Sequence, residues 1–536
     1  MNLIQRARVR VKRENALRRN HRRVRELTAE IGLPTAETAA DQRPVIFFNA
    51  STRLSGLSQN AGFSLVSSLA LRRTGQPVIH FVCLNGLSHC VLGTDKLNPK
   101  APPPCAECMR TSRVLFEGAQ VFPFTLKRDA DLSDYLTDLS LEELLKVEWQ
   151  DIPLGKLVLP SLRWVLRIHH LQDDEPTRYL AREYMLSALH VARQFKKLIE
   201  QSNPLAVVVF NGMFYPEAAA RWMAQRHGLP VYSHEVGMLP LSAFLTAEEA
   251  TAYPVKVDEK FKLSPEQNAR LDAYLNQRTQ GKFVTAGVNF WPEMRELDDA
   301  FWQRAEQFEA VVPVFTNVVF DTSQGHANVV FEHMFAWLDL VLEEIKAHPE
   351  IFFVLRAHPD EERPGKESRE TVSDWVKARG VEQLPNMLFI GPRQFISSYE
   401  LIAHAKFVMV YNSTVGLESS VLGKPVLCAG KARYTQIPTV FFPQSVPDYR
   451  AKLREFLAAD AVTHPDEFQR NARRVLYSQL FRASLPFGDF LEEDGVWRGY
   501  VRLKDFKAEA LYPHNSATLQ VVLDGILKGT PFIQDL

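Results

Sequence analysis

Two stretches of the chain place polar, phosphate-capable groups directly after an apolar run. The first is Tyr411-Asn-Ser-Thr-Val-Gly-Leu-Glu418, where a strand-like segment gives way to hydroxyls and then to a helical pattern. Ser413 or Thr414 is placed to begin that helix. Its unpaired N–H groups and partial positive charge suit a phosphate. Glu418, one turn further on, could accept hydrogen bonds from ribose hydroxyls. The alternative reading is that Ser413 and Thr414 only cap the helix and Glu418 balances its dipole. The second stretch is Phe353-Val-Leu-Arg356-Ala-His358-Pro359. Arg356 or His358, just past a strand end, could hold or protonate a departing phosphate, with Pro359 stiffening the turn. The nearby His348-Pro349 reads as a helix end.

A third cluster is soft instead of acidic or basic. Cys83, Cys90, Cys105 and Cys108 supply enough ligands for one structural zinc in a region poor in regular pattern, with reduced, unligated thiols as the alternative. Asp129-Ala-Asp131 has the form of a metal-binding pair, but it lies in a polar turn and reads as solvated.

The elements that must position these groups alternate between strand and helix. In the first half, apolar runs at 44–49, 77–83, 205–210 and 229–232 predict strands. Helical patterns fall between them at 63–74, 176–201 and 216–227, while 84–160 reads as irregular. In the second half, strands are predicted at 311–315, 351–355, 387–390, 407–411 and 425–428, with a helix at 329–347. Pro313 makes 311–315 the weakest of these strands. Alternation of this kind predicts an α/β protein with two facing Rossmann-like domains and parallel sheets. The expected division is 1–40 as a basic helix and linker, 41–285 and 286–490 as the two domains, and 491–536 as an extension. Neither half carries a G-x-G-x-x-G fingerprint or a P-loop, which leaves dehydrogenase and NTPase chemistry without residue support.

The 536 residues are too many for one ordinary core, and 46% hydrophobic content suits soluble domains. No run is long and apolar enough to span a bilayer, and no signal-peptide core is visible, so a cytoplasmic location is expected. The net charge is zero, yet residues 1–30 hold ten Lys or Arg against three Glu. Leu17, Val24, Leu27 and Ile31 recur at helical spacing among the arginines, a basic amphipathic helix. It could meet anionic lipid at the inner membrane face, or pack on its own domain. With no aromatic residues interleaved, nucleic acid is not an expected partner.

Together the His358-Pro359 and Ser413-Thr414 motifs resemble those of the bacterial capsule-polysaccharide glycosyltransferases of the GT-B superfamily, including enzymes that use CMP-activated acidic sugars. The resemblance implies that these residues bind the donor nucleotide and phosphate, and that an acidic residue before a glycine in the N-terminal domain is the general base. Glu235, in Ser233-His-Glu-Val-Gly237, is the match, with His234 as alternative; related enzymes often show two acidic residues where this chain has Glu235 and Val236. Thr316 and Asn317 are expected at the donor phosphates, Gly391 to Gln394 near the nucleobase of the donor, and Arg53 and Asn211 at the acceptor. The implied reaction is inverting transfer from a nucleotide sugar to a surface glycan or lipid-linked glycan, with no catalytic metal. A nucleotide-sugar epimerase, a polyol-phosphate transferase and a silent glycan-binding protein are the rival readings.

Overall fold

The computed structural model describes residues 3–32, 42–49, 56–96, 98–279, 295–365 and 367–534. Arg53 and the linker residues 33–40 lie outside them.

The first lobe is built on strands β1 (Val45–Asn49), β2 (Val78–Cys83), β3 (Gln120–Phe124), β4 (Ala206–Phe210), β5 (Val231–Val236) and β6 (Ser242–Thr246). The second uses β7 (Ala310–Phe315), β8 (Ile351–Arg356), β9 (Met387–Ile390), β10 (Val408–Val410) and β11 (Val426–Cys428). A short strand β12 (Leu485–Pro486) returns to the edge of the first sheet, against β6. The five strands β1 to β5 are parallel and lie in the order β3-β2-β1-β4-β5; β6 and β12 extend that sheet antiparallel. The second sheet is all parallel, β9-β8-β7-β10-β11, which is the same order one lobe later. In each sheet the order reverses beside its first strand. Ligand crevices open at that point, outside the carboxyl ends of the strands.

Buried β-branched and aromatic runs explain the strands: β1, β8 and β10 are buried along their whole length. Each fully buried Val, Ile or Phe contributes about 1.5–3 kcal/mol by leaving water. Pro313 is accommodated in the middle of the sheet because the pairing of β7 with β10 passes over it. Contacts on that side run from the Val311–Ala405 bridge to the Val314–Met409 pair, so no ladder bond needs the missing N–H.

Segment 84–160, expected to be irregular, contains β3 and the helices Cys105–Leu115, Ala130–Leu136 and Leu154–Leu166. Short helices separated by prolines show too few turns to display a period. The lobe boundaries also shift inward. The helix Pro265–Thr279 buries Leu271 and Leu275 in the second lobe's core, ahead of residue 285. Leu485, Phe487, Phe490, Val501, Leu503 and the helix Ala517–Lys528 pack into the first lobe's core, so 491–536 is part of that lobe and no mere extension.

The basic helix Leu3–Ile31 is present, with Leu17, Val24 and Leu27 buried against its own lobe. Asn20 clamps the backbone of β-paired segment 501–503, accepting from Leu503 N–H at 2.9 Å. Its apolar stripe is therefore occupied, while Arg8, Arg10, Lys12, Arg18, Arg22 and Arg25 face outward. Among the described residues no helix is long and apolar enough to cross a membrane.

Candidate functional site between the lobes

The crevice at the β7/β10 reversal opens into a cavity of about 670 Å³ whose walls come from both lobes. Asn317 follows β7, His358 and Asp360 follow β8, Asn412, Ser413 and Thr414 follow β10, and Lys431, Ala432 and Arg433 follow β11. The opposite wall is Glu248, Glu249, Thr251 and Pro254 of the first lobe. The lobes touch at its rim: Thr251 Oγ1 lies 2.9 Å from His326 Nε2, and the Arg433 guanidinium stacks 4.3 Å from the Tyr253 ring.

Ser413 precedes the helix Thr414–Val421, but its side chain makes no capping bond. The Gly416 N–H is taken by the Ser413 carbonyl at 3.0 Å, and the first turn presents its remaining N–H groups with two hydroxyls beside them. Gly416 is fixed by packing: a Cβ there would meet the Tyr434 hydroxyl at 2.4 Å and Val410 Cγ2 at 2.9 Å. Tyr434 uses that hydroxyl to donate to the Ser413 carbonyl at 2.6 Å, which anchors the turn. Asn317 accepts from the Asn412 N–H at 3.3 Å and ties the β7 and β10 loops together.

His358 Nδ1 accepts a hydrogen bond from the Asp360 N–H at 3.0 Å. That bond requires a lone pair on Nδ1, so the neutral ring carries its proton on Nε2, leaving a donor for the cavity. Burial, with Arg356 adding to it and Asp360 opposing it, holds the imidazole below its ordinary pKa, so the neutral form prevails at pH 7. Two cations complete this wall. Neither Lys431 nor Arg433 has a carboxylate partner among the described residues, whereas Glu249 is paired with Arg221 at 2.6 Å and Glu248 with Lys256 at 3.7 Å.

Glu235 ends β5, behind the first-lobe wall, and does not itself line the cavity. Asn60 Nδ2 donates to one carboxylate oxygen at 2.8 Å and Asn211 Nδ2 to the other at 3.1 Å; the Val236 N–H adds a third bond at 2.9 Å. Burial pushes its pKa above the usual carboxylate range; those three bonds oppose the shift, and the Asp321 charge, which lines the cavity, adds to it. Glycine is required two residues on, because a Cβ at Gly237 would meet Ser242 Oγ at 2.3 Å where β5 turns into β6.

Several expected site residues are elsewhere. Arg356 is buried and directs its guanidinium to the Ile396 carbonyl, away from the cavity; burial lowers its pKa to about 10. It braces the loop before Ser397 and holds no phosphate here. Thr316 is buried and donates to the Arg356 carbonyl at 3.1 Å. Glu418 is buried, accepts from the Tyr399 hydroxyl and pairs with Arg278 at 2.8 Å, so its carboxylate is committed inside the second lobe. Pro359 starts the turn Pro359–Glu362 and shapes it from outside the lining. Asn211, expected at the acceptor, holds Glu235. His234 is buried with Nδ1 3.3 Å from Asn60 Oδ1. Gly391 donates to Gln394 at 2.7 Å, and neither borders this cavity. The four clustered cysteines are also outside it; Asp129 caps a helix through the Leu132 N–H at 2.8 Å.

Sequence reasoning missed Lys431, Arg433, His326 and Asp321. Lys431 and Arg433 had a readable signal, since they follow the strand at 425–428 as His358 follows its own.

The family described as "Capsule polysaccharide biosynthesis protein" matches residues 270–450. The matched stretch starts inside the helix Pro265–Thr279 and includes the second-lobe wall of the cavity. Comparison with curated proteins gave no match. Among solved structures, the chain is similar to a Thermosulfurimonas dismutans KpsC beta Kdo 2,4 transferase, with 13% identity, TM-score 0.35, and coverage of 51% of this chain and 79% of the other. It is also similar to a Thermosynechococcus elongatus sucrose-phosphate synthase (13% identity, TM-score 0.29, 82% and 95% covered). A Neisseria meningitidis UDP-GlcNAc 2-epimerase bound to UDP-GlcNAc gives 11% identity and TM-score 0.23, with 81% and 98% covered. At these scores the likenesses carry no argument about activity.

Proposed function

We propose that the chain is a glycosyltransferase that moves a sugar from a nucleotide donor to a hydroxyl of a bacterial surface glycan. The observation that carries this reading is one cavity wall bearing a neutral His358 with a donor Nε2, a helix start at Ser413 and Thr414, and two cations, Lys431 and Arg433, with no carboxylate partner among the described residues. Such a wall stabilises negative charge developing on a leaving phosphate. With chain cations in that role, no step of this mechanism calls on a metal.

Glu235 accepts the proton of the acceptor hydroxyl while the glycosidic oxygen of the donor leaves with the phosphate. Three neutral donors orient its carboxylate without neutralising it, so the base stays available. One base and one displacement invert the anomeric carbon. A CMP-activated donor follows from the motif resemblance. The outward basic residues of the helix Leu3–Ile31 supply a cationic face for an anionic lipid surface, which they would meet by charge and without insertion, since the apolar stripe is already buried.

Turnover of CMP- and UDP-sugars with a glycan acceptor panel tests this reading. Release of nucleotide with glycan extension, abolished in Glu235→Ala and in His358→Ala, is expected. An isomerised sugar nucleotide formed without acceptor would replace it with epimerisation, and unchanged turnover in both folded variants would end the assignment.

A further inference from the structure

Glu235 is held and oriented as a base would be, yet it does not border the cavity. The first-lobe wall in front of it is the loop after β6. The turn Ala250–Ala252 in that loop ends at Tyr253, and Thr251, Ala252 and Pro254 line the cavity on either side of this residue.

Tyr253 touches both sides of the wall. Its hydroxyl donates to the Val236 carbonyl at 2.8 Å, and Val236 directly follows Glu235 at the end of β5. Its ring meets the second lobe, where the Arg433 guanidinium lies 4.3 Å from the centroid, and Phe244 of β6 packs against it at 5.0 Å. Burial pushes the Tyr253 hydroxyl well above its ordinary pKa; the Glu235 charge adds to the shift, Arg433 opposes it, and Asp321 of the cavity adds again, as a position between base and cavity requires. The backbone marks the same residue. Tyr253 has a φ of +47°, a left-handed conformation that favours glycine. It is held there because its N–H donates to the Ala250 carbonyl at 3.1 Å and its carbonyl accepts from the Val255 N–H at 2.8 Å.

Arg433 is anchored at its backbone and not at its head. Its carbonyl accepts from Gln436 Nε2 at 3.0 Å and from Gln479 Nε2 at 3.3 Å, while the guanidinium has no carboxylate partner among the described residues. The same side chain lines the cavity and lies on the Tyr253 ring. A charge-assisted bond from guanidinium to phosphate is stronger than a cation–π contact at a wet rim, so a phosphate entering the cavity draws Arg433 off the ring.

We propose that Tyr253 is a positioning residue that shuts Glu235 off from the cavity until a nucleotide phosphate takes Arg433 from its ring. The freed ring turns aside, the Val236 carbonyl loses its hydroxyl partner, and the end of β5 opens to the acceptor. Donor then binds before acceptor. This binding order rests on the glycosyltransferase reading, whereas the phosphate-driven movement of Tyr253 does not.

Carbodiimide labelling of Glu235 in the full-length protein, mapped by peptide mass spectrometry with and without inorganic pyrophosphate, reads the shutter without turnover. A several-fold rise in label with pyrophosphate is expected in the wild-type chain, and equal label in both states in Tyr253→Leu. By calorimetry Tyr253→Leu should bind pyrophosphate about 2- to 5-fold more tightly than wild type, because no ring competes for Arg433. Loss of a residue that only supports the fold would weaken binding instead. Tyr253→Phe keeps the stack and should bind as wild type does. Product-inhibition patterns should change from donor-first in wild type to random order in Tyr253→Leu. Equal labelling of wild-type Glu235 in both states, no binding of pyrophosphate, or unchanged affinity in a folded Tyr253→Leu would each overturn the proposal. Phosphate-dependent labelling in a chain that transfers no sugar from any donor would support the shutter and remove the glycosyltransferase reading.

Discussion

Glu235, near the end of β5, and Glu418, in the helix that follows β10, are two glutamates held in different lobes, and their surroundings differ in kind. Glu418 is met by a cation, Arg278 at 2.8 Å, and by the Tyr399 hydroxyl. Burial works to lower the Arg278 pKa, but the Glu418 carboxylate together with Tyr399 and Tyr274 raises it above its ordinary value. Glu235 is met by two side-chain amides and a backbone N–H, with no cation. The difference separates structure from chemistry. A carboxylate locked to a cation is committed to holding the fold, whereas one oriented by neutral donors carries no fixed counter-charge.

The comparison breaks most sharply at Glu235. Glu235→Gln should lower turnover about 10²–10⁴-fold, the range for a lost general base, with a melting temperature no lower than wild type. Its raised pKa fixes two signs. From its ordinary 4.5 up to the raised value the folded state binds more protons than the unfolded, so stability falls as pH rises through that window, and Glu235→Gln should remove that slope. The acid limb of kcat/KM should lie above the usual carboxylate range, read from a pH–rate profile. His358→Ala should cost about 10²–10³-fold in kcat, the scale of one lost donor to a developing anion.

Glu418→Gln should act through stability, not chemistry. Leaving Arg278 buried without its anion costs roughly 3–5 kcal/mol in denaturant unfolding, and the fraction that remains folded should turn over normally. Glu361 sharpens the same contrast. It is fully buried, accepts from the Val372 N–H at 3.1 Å, and has one oxygen without a hydrogen-bond partner. Burial pushes its pKa up to about 8, so it contributes a fall in stability as pH rises from 4.5 to about 8. Glu361→Gln should flatten that window in thermal unfolding. The smallest effect is expected at the outward face of the first helix. Exchanging Arg18 and Arg22 for Glu should weaken sedimentation with anionic vesicles by about 1 kcal/mol per residue, an effect erased by salt, with turnover in solution unchanged.

Much of the second lobe was legible because its parallel strands are continuous apolar runs separated by helices, and His358 and Ser413 fall directly after two of them. Strand ends can be read locally; side-chain direction cannot. Arg356 turns toward Ile396, forty positions on, and Glu418 toward Arg278, far upstream, and neither partner is signalled near the residue itself. Asn60 and Asn211, which hold Glu235, lie 175 and 24 positions from it and become neighbours only once the first sheet is assembled. The stretch 84–160 stayed opaque because its helices are short and interrupted by proline.

The return of the chain to the first lobe sets the order in which that lobe can be completed during synthesis. Leu57, Phe63 and Val66 leave the ribosome early, but the residues that cover them, among them Leu491, Val501 and Leu519, are translated more than four hundred positions later. Until then an apolar face of the nascent lobe stays open to water, although every strand of the second lobe's sheet has already been translated. The N-terminal lobe is begun first and finished last, and a stop codon shortly after residue 484 would leave Glu235 on an incomplete scaffold.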